Sequence, residues 1–151
     1  MKLAEALLLR SEYTKKIENL QHRLLSNVKI QENDKPFENP QTLIKEIFQL
    51  NEDMYEIIKR INKCNASTKM DDGLTLDEAI ARRNMLIKKR STLSLVANKA
   101  TERDHRFSHS EIKMNVTISI ADMQKQIDEL SKEYRELDTK IQTLNWTTEL
   151  Q

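Results

Sequence analysis

The chain has 151 residues with one glycine, two prolines and one cysteine; 38% of residues are apolar, 32% are charged, and the net charge is +1. Loops that cradle phosphates need several glycines, because the backbone approaches the ligand closely only where φ is positive and no Cβ intervenes. A lone Gly73 therefore excludes a P-loop, a dinucleotide-binding turn and the nucleophile elbow of hydrolases, and it argues against glycine-rich sandwiches and barrels.

A mass of 17.8 kDa and a mean hydropathy of −0.70 suit one helical domain over residues 1–151, built from long amphipathic helices. The first helix carries a stripe of Leu3, Ala6, Arg10, Tyr13, Ile17, Leu20 and Leu24, and residues 31–36 follow as a polar loop stopped by Pro36. Asn39 is placed to cap a second helix with Pro40 in its first turn. That helix repeats apolar residues at Leu43, Ile47, Leu50, Met54, Ile57, Ile61 and Cys64, a heptad seam of the kind that packs helices side by side. Asn62, Asn65 and Thr68 make a polar cluster at its end.

Asp71-Asp72-Gly73 is a strong turn signal, and a tiny hairpin over 67–75 is expected around it. The third helix begins at Thr75 with Glu78 completing a capping box, and its stripe reads Leu76, Ala79, Arg83, Leu86, Arg90, Leu93, Ala97 and Ala100. Between Glu111 and Ile118 apolar and polar residues alternate, so a second β piece over 110–118, paired with 67–75, competes with an extended loop. Ser119 and Asp122 start the fourth helix, whose seam is Met123, Ile127, Leu130, Tyr134, Leu137, Ile141 and Leu144. The expected fold is all-α: a long antiparallel four-helix bundle with a small β element.

Two features stand out. Residues 31–59 hold seven acids against three lysines, whereas residues 82–113 hold nine bases against three acids, a polarity that favours docking within or between chains. The inner stripes also contain arginines. In an up-and-down bundle Arg10 and Arg83 lie about 12 Å along parallel helices, at one level, with Arg90 two turns further on. A buried guanidinium needs an anion. Either internal carboxylates supply it, with Glu56 and Asp138 at the matching level, or the arginines line a site for a phosphate or carboxylate ligand. The candidate ligand-binding set is Arg10, Arg83, Arg90, Asn62, Asn65, Arg106, Glu111 and Lys113.

Other constellations are weaker. His105 and His109 have the spacing of helical metal ligands but no third partner nearby, so no metal is expected. Ser108, His109 and Ser110 point to alternating faces of an extended segment and cannot form a relay. Cys64 sits on an apolar seam as a packing residue, and a single cysteine permits no internal disulfide. The basic segment lacks interleaved aromatics, which disfavours nucleic acid, and no apolar run is long enough for a membrane span.

Met1-Lys2-Leu3-Ala4-Glu5-Ala6-Leu7, Arg60-Ile61-Asn62 through Asn65, Ala81-Arg82-Arg83, Ser110-Glu111-Ile112-Lys113 and Asn145-Trp146-Thr147 occur in that order. The ordered set resembles the small bacterial and phage family labelled septicolysin-like. The resemblance implies a helical protein with recurring polar motifs and a phage or prophage setting, and it carries no catalytic residues. The label suggests a thiol-activated cytolysin, but the chain lacks the length, the strands and the Trp-rich Cys-containing loop of such toxins.

Function is thus expected to be non-enzymatic and cofactor-free. One reading is a cytoplasmic binding protein that holds an anionic small molecule, plausibly a nucleotide and in a phage setting a host signalling nucleotide, in an Arg-lined site. The other is a structural or protein-interaction bundle whose arginines are satisfied internally. Long unpaired helical stripes point to a homo-oligomer in either case.

Overall fold

A computed structural model describes residues 1–103 and 113–151. It contains four helices, α1 (Leu3–Asn27), α2 (Pro40–Ser67), α3 (Leu76–Thr101) and α4 (Ile120–Thr147). The fold is an all-α helical bundle. Local chemistry sets the helix starts. The Glu5 carboxylate accepts the Lys2 backbone N–H at 2.6 Å. Asn39 Oδ1 accepts from the backbone of Gln41 at 2.9 Å and of Thr42 at 3.4 Å, with Pro40 occupying a position that needs no donor. Ser119 Oγ accepts from Asp122 N at 3.2 Å. α3 opens at Leu76, directly after Thr75.

The chain divides into two compact units, one comprising Met1–Asp77 with Gln142–Gln151 and the other Glu78–Ile141. In the first, Ile17, Leu20, Leu43, Ile47 and Leu50 form a buried cluster against which Tyr13, Leu24 and Met54 pack. Six of the seven expected seam residues of α2 are buried, and Met54 is the half-buried exception. Each such aliphatic side chain contributes about 2 kcal/mol by leaving water. Thr14 Oγ1 reaches Met54 Sδ at 3.7 Å, whereas Arg23, near the end of α1, meets Glu38, just before α2. The stretch 148–150 lies along the start of α1: Leu3 N donates to Thr148 O at 2.9 Å and Leu150 N to Met1 O at 2.8 Å.

Two expectations are corrected. Arg10 is exposed, not part of the buried stripe of α1. Between the buried Ala6 and the half-buried Tyr13 the inward position falls to the half-buried Leu9, one residue earlier, because a 3,4 step and a 4,3 step span the same two turns. The β element also shrinks to an isolated antiparallel bridge between Lys69 and Thr75. Thr68 still caps α2, its N–H donating to Cys64 O at 2.9 Å, and Leu76 already begins α3, so no residues remain to extend a ladder. The turn itself forms as expected: Met70 N donates to Leu74 O at 2.8 Å, and Gly73 takes φ +86°. No strand forms over 113–118, where every side chain is exposed; the rest of the 110–118 expectation lies outside the described residues. Alternation records that one face wants covering but supplies no partner strand.

Candidate functional site

The second unit contains the clearest polar constellation. Arg83 and Arg90, two turns apart on α3, face Asp138 and Tyr134, one turn apart on α4. Arg83 Nη1 lies 2.6 Å from Asp138 Oδ1, and the two side chains are 22% and 30% exposed. The Arg90 guanidinium carbon sits 5.6 Å from the centroid of the Tyr134 ring, within cation–π range. Arg83 Nε is buried and has no acceptor among the described residues. Next along the same pair of helices, Lys89, Thr92, Gln126, Glu129 and Glu133 rim a groove of about 430 Å³ floored by Leu93 and Leu130. Its two carboxylates outnumber its one ammonium by a single charge, spread along an open wall. The wall is neither a strong anion site nor a strong cation site.

The remaining sequence candidates are placed as follows. In the first unit Arg10 and Asn62 are exposed and Asn65 is half-buried. In the second unit Lys113 is exposed. Arg106 and Glu111 lie outside the described residues, as do His105, His109 and the Ser108–Ser110 run. Among the described residues no group of three His, Cys, Asp or Glu side chains is placed to hold a metal ion. Cys64 is buried, with Sγ 3.7 Å from Thr68 Oγ1 and 3.9 Å from the Glu149 carbonyl. No described helix is long and apolar enough to cross a membrane.

Residues 10–150 match the profile of a family described as "Family of unknown function (DUF6847)". The chain belongs to that family. A solved structure is similar over the full length: the crystal structure of a functionally unknown conserved protein from Corynebacterium diphtheriae. It is 42% identical, covers 100% of this chain and 99% of its own, and superposes with a TM-score of 0.93. No curated protein matches. Family membership therefore fixes the architecture and assigns no chemistry, so the residues themselves must carry any functional reading.

Sequence reasoning did not foresee two polar arrangements. One is the Arg90–Tyr134 stack; both residues lay on inward stripes, but nothing in the spacing paired them. The other anchors the loop between α1 and α2. Arg23 donates to both Glu38 carboxylate oxygens, Nε to Oε2 at 2.9 Å, and the guanidinium holds the Glu38 carboxyl below the usual carboxylate range. Glu38 N donates to Asn27 Oδ1 at 2.9 Å, and buried Asn27 in turn donates through Nδ2 to Arg23 O at 2.8 Å. A basic residue one turn before a buried Asn at a helix end, with an acid beside the next helix start, is the signal that could have found it.

Proposed function

We propose that this protein is a non-enzymatic interaction bundle, one that binds protein surfaces, a second copy of itself included. The observation that carries this reading is the Arg83–Asp138 pair. An arginine on an inner stripe has its countercharge within its own chain, so it does not call for an external anion to make its burial tolerable. Arg90, stacked on Tyr134, and the exposed Arg10 likewise have their charges accommodated. Large apolar side chains left in solvent, among them Leu25, Phe37, Phe48, Leu95 and Met114, supply contact surface of the kind that proteins use to associate.

A second reading, an Arg-lined site for an anionic small molecule such as a nucleotide, is favoured by one detail: Arg83 Nε lacks an acceptor among the described residues. One substitution separates the two. Arg83→Met keeps the packing of the stem and removes the charge. If Asp138 is the intended partner, its carboxylate loses its countercharge, and the melting temperature falls by several degrees. That corresponds to about 1–2 kcal/mol for a charged pair still partly reached by water. Added phosphate or nucleotide then leaves the wild-type melting temperature unchanged. If the arginine serves a ligand, the variant melts at or above the wild-type temperature, and the wild type alone gains stability from the anion by mass action.

A further inference from the structure

The second unit is long in helix and short in interior. Among the described residues from Ile87 to Lys140, one side chain, Met123, is buried. Leu93, Ala97 and Ala100 on α3 and Ile127, Leu130 and Leu137 on α4 follow the inward stripes, and all stop at half-buried. In the first unit, by contrast, α2 alone buries six of its seven seam residues. Two helices touch along a single line, so each seam side chain is covered on one side and wetted on the other. Helices in proteins owe most of their stability to burying such a face, and bundles achieve it with four helices rather than two. The open side of this pair is the groove of about 430 Å³ floored by Leu93 and Leu130. Its walls differ in charge: α3 contributes Lys89 and Thr92, whereas α4 contributes Gln126, Glu129 and Glu133. Lys89, Glu129 and Glu133 are exposed, and none has an ion-pair partner among the described residues.

We infer that two copies of the chain close this open side against each other, α3 of each lying on α4 of the other. This deepens the interaction-bundle reading and rests on it. The occupant follows from the unlike walls. A two-fold axis running along the helices exchanges the walls while keeping every residue at its own level. Lys89 and the two glutamates share one groove, so Lys89 of each copy arrives at Glu129 and Glu133 of the other. Leu93 of each copy likewise meets Leu130 of the other, and two half-covered seams become one four-helix core. An axis across the helices would instead lay like on like. It would set α3, which holds six bases and no acid over residues 79–101, against another α3. A face about 30 Å long and about 20 Å wide on each copy buries about 1,200 Å² in total, the lower end for a specific interface. Association at micromolar concentration follows.

Reversing the charge on one wall at a time tests this, with sedimentation or light scattering as the readout. At about 100 µM the wild type is expected at twice its chain mass of 17.8 kDa. Lys89→Glu, and separately Glu129→Lys with Glu133→Lys, create a like-charge clash at both symmetric contacts. Each should raise the dimer dissociation constant about a hundredfold. Mixed in equal amounts, the two variants should dimerise as the wild type does, since reversed α3 wall meets reversed α4 wall and the native walls still match. All three positions are exposed, so circular dichroism should match wild type. If the double variant loses helix, Glu133→Lys alone takes its place and must show the same loss and the same recovery on mixing. A monomeric wild type overturns the inference, and so does a dimer indifferent to either reversal, or a pair of variants that stay apart when mixed. The anion arms of the Arg83→Met experiment are read separately: anion stabilisation there sinks the broader reading, whereas failure of the mixing experiment alone sinks only this pairing.

Discussion

Glu38 shows how one carboxylate can hold a loop. It accepts the Arg23 guanidinium through both oxygens while its backbone N–H is taken by Asn27, so the turn into α2 is fixed from two sides. The Arg23 hydrogen bonds, more than simple charge attraction, lower the Glu38 pKa below its ordinary value. A carboxyl whose folded pKa is depressed adds stability that is complete above the unfolded pKa and lost as the pH falls through the folded one. The Arg23–Glu38 contribution is accordingly full at neutrality and is lost only below the ordinary glutamate range, as the pH falls through the lowered folded value. Glu38→Gln should flatten that part of the profile: melting temperatures of wild type and variant should converge at the acid end and separate at pH 7. Parallel curves would mean that the pair adds nothing.

At the scale of elements, the connection between α2 and α3 depends on a single backbone conformation. Gly73 takes φ +86°, and a Cβ built there meets nothing within 4 Å, so a substitution pays only for the backbone. Gly73→Ala should destabilise by about 1 kcal/mol and Gly73→Asn by less, since Asn tolerates the left-handed region. Denaturant titration of the two variants would show it; equal stability of Ala and wild type would mean that the turn relaxes. This turn was legible in the sequence because Asp-Asp-Gly has little other use, and the seam of α2 was legible because seven apolar residues agreed on one phase. The stripe of α1 was not, because Leu9 and Arg10 are neighbours and a stripe thinned to Ala6 and Tyr13 cannot choose between them. Matching levels along the helices offered Arg83 two carboxylates, Glu56 and Asp138; it meets Asp138, while Glu56 pairs with Lys59 on its own helix. Tyr134 as the partner of Arg90 could not be read, since a ring on an inward stripe reads as packing. The alternation before α4 promised a strand, but a ladder needs a second chain segment that the short hairpin does not supply.

Across the whole molecule, the two units are built on different interiors. The first is closed by aliphatic side chains between α1 and α2. The second places Arg83 and Arg90 where leucines would otherwise stand, and its helices meet partly through charge and a ring face. Polar pairs of this kind restrict which residues can face each other, while apolar burial sets most of the stability.

Sealing the single cysteine inside the first unit makes the molecule its own clock. Cys64 is 1% exposed, so a thiol reagent can reach it only when the α2 seam opens. The rate of its modification then counts openings rather than collisions. In native buffer a colorimetric disulfide reagent should react about a thousandfold more slowly than with a free thiol, as an opening cost of about 4 kcal/mol requires. In denaturant it should react at once. Because no second thiol competes for the reagent, the colour reports one event at one address. Rapid labelling of the folded protein would mean that this end of α2 frays on its own, leaving the rest of the seam intact.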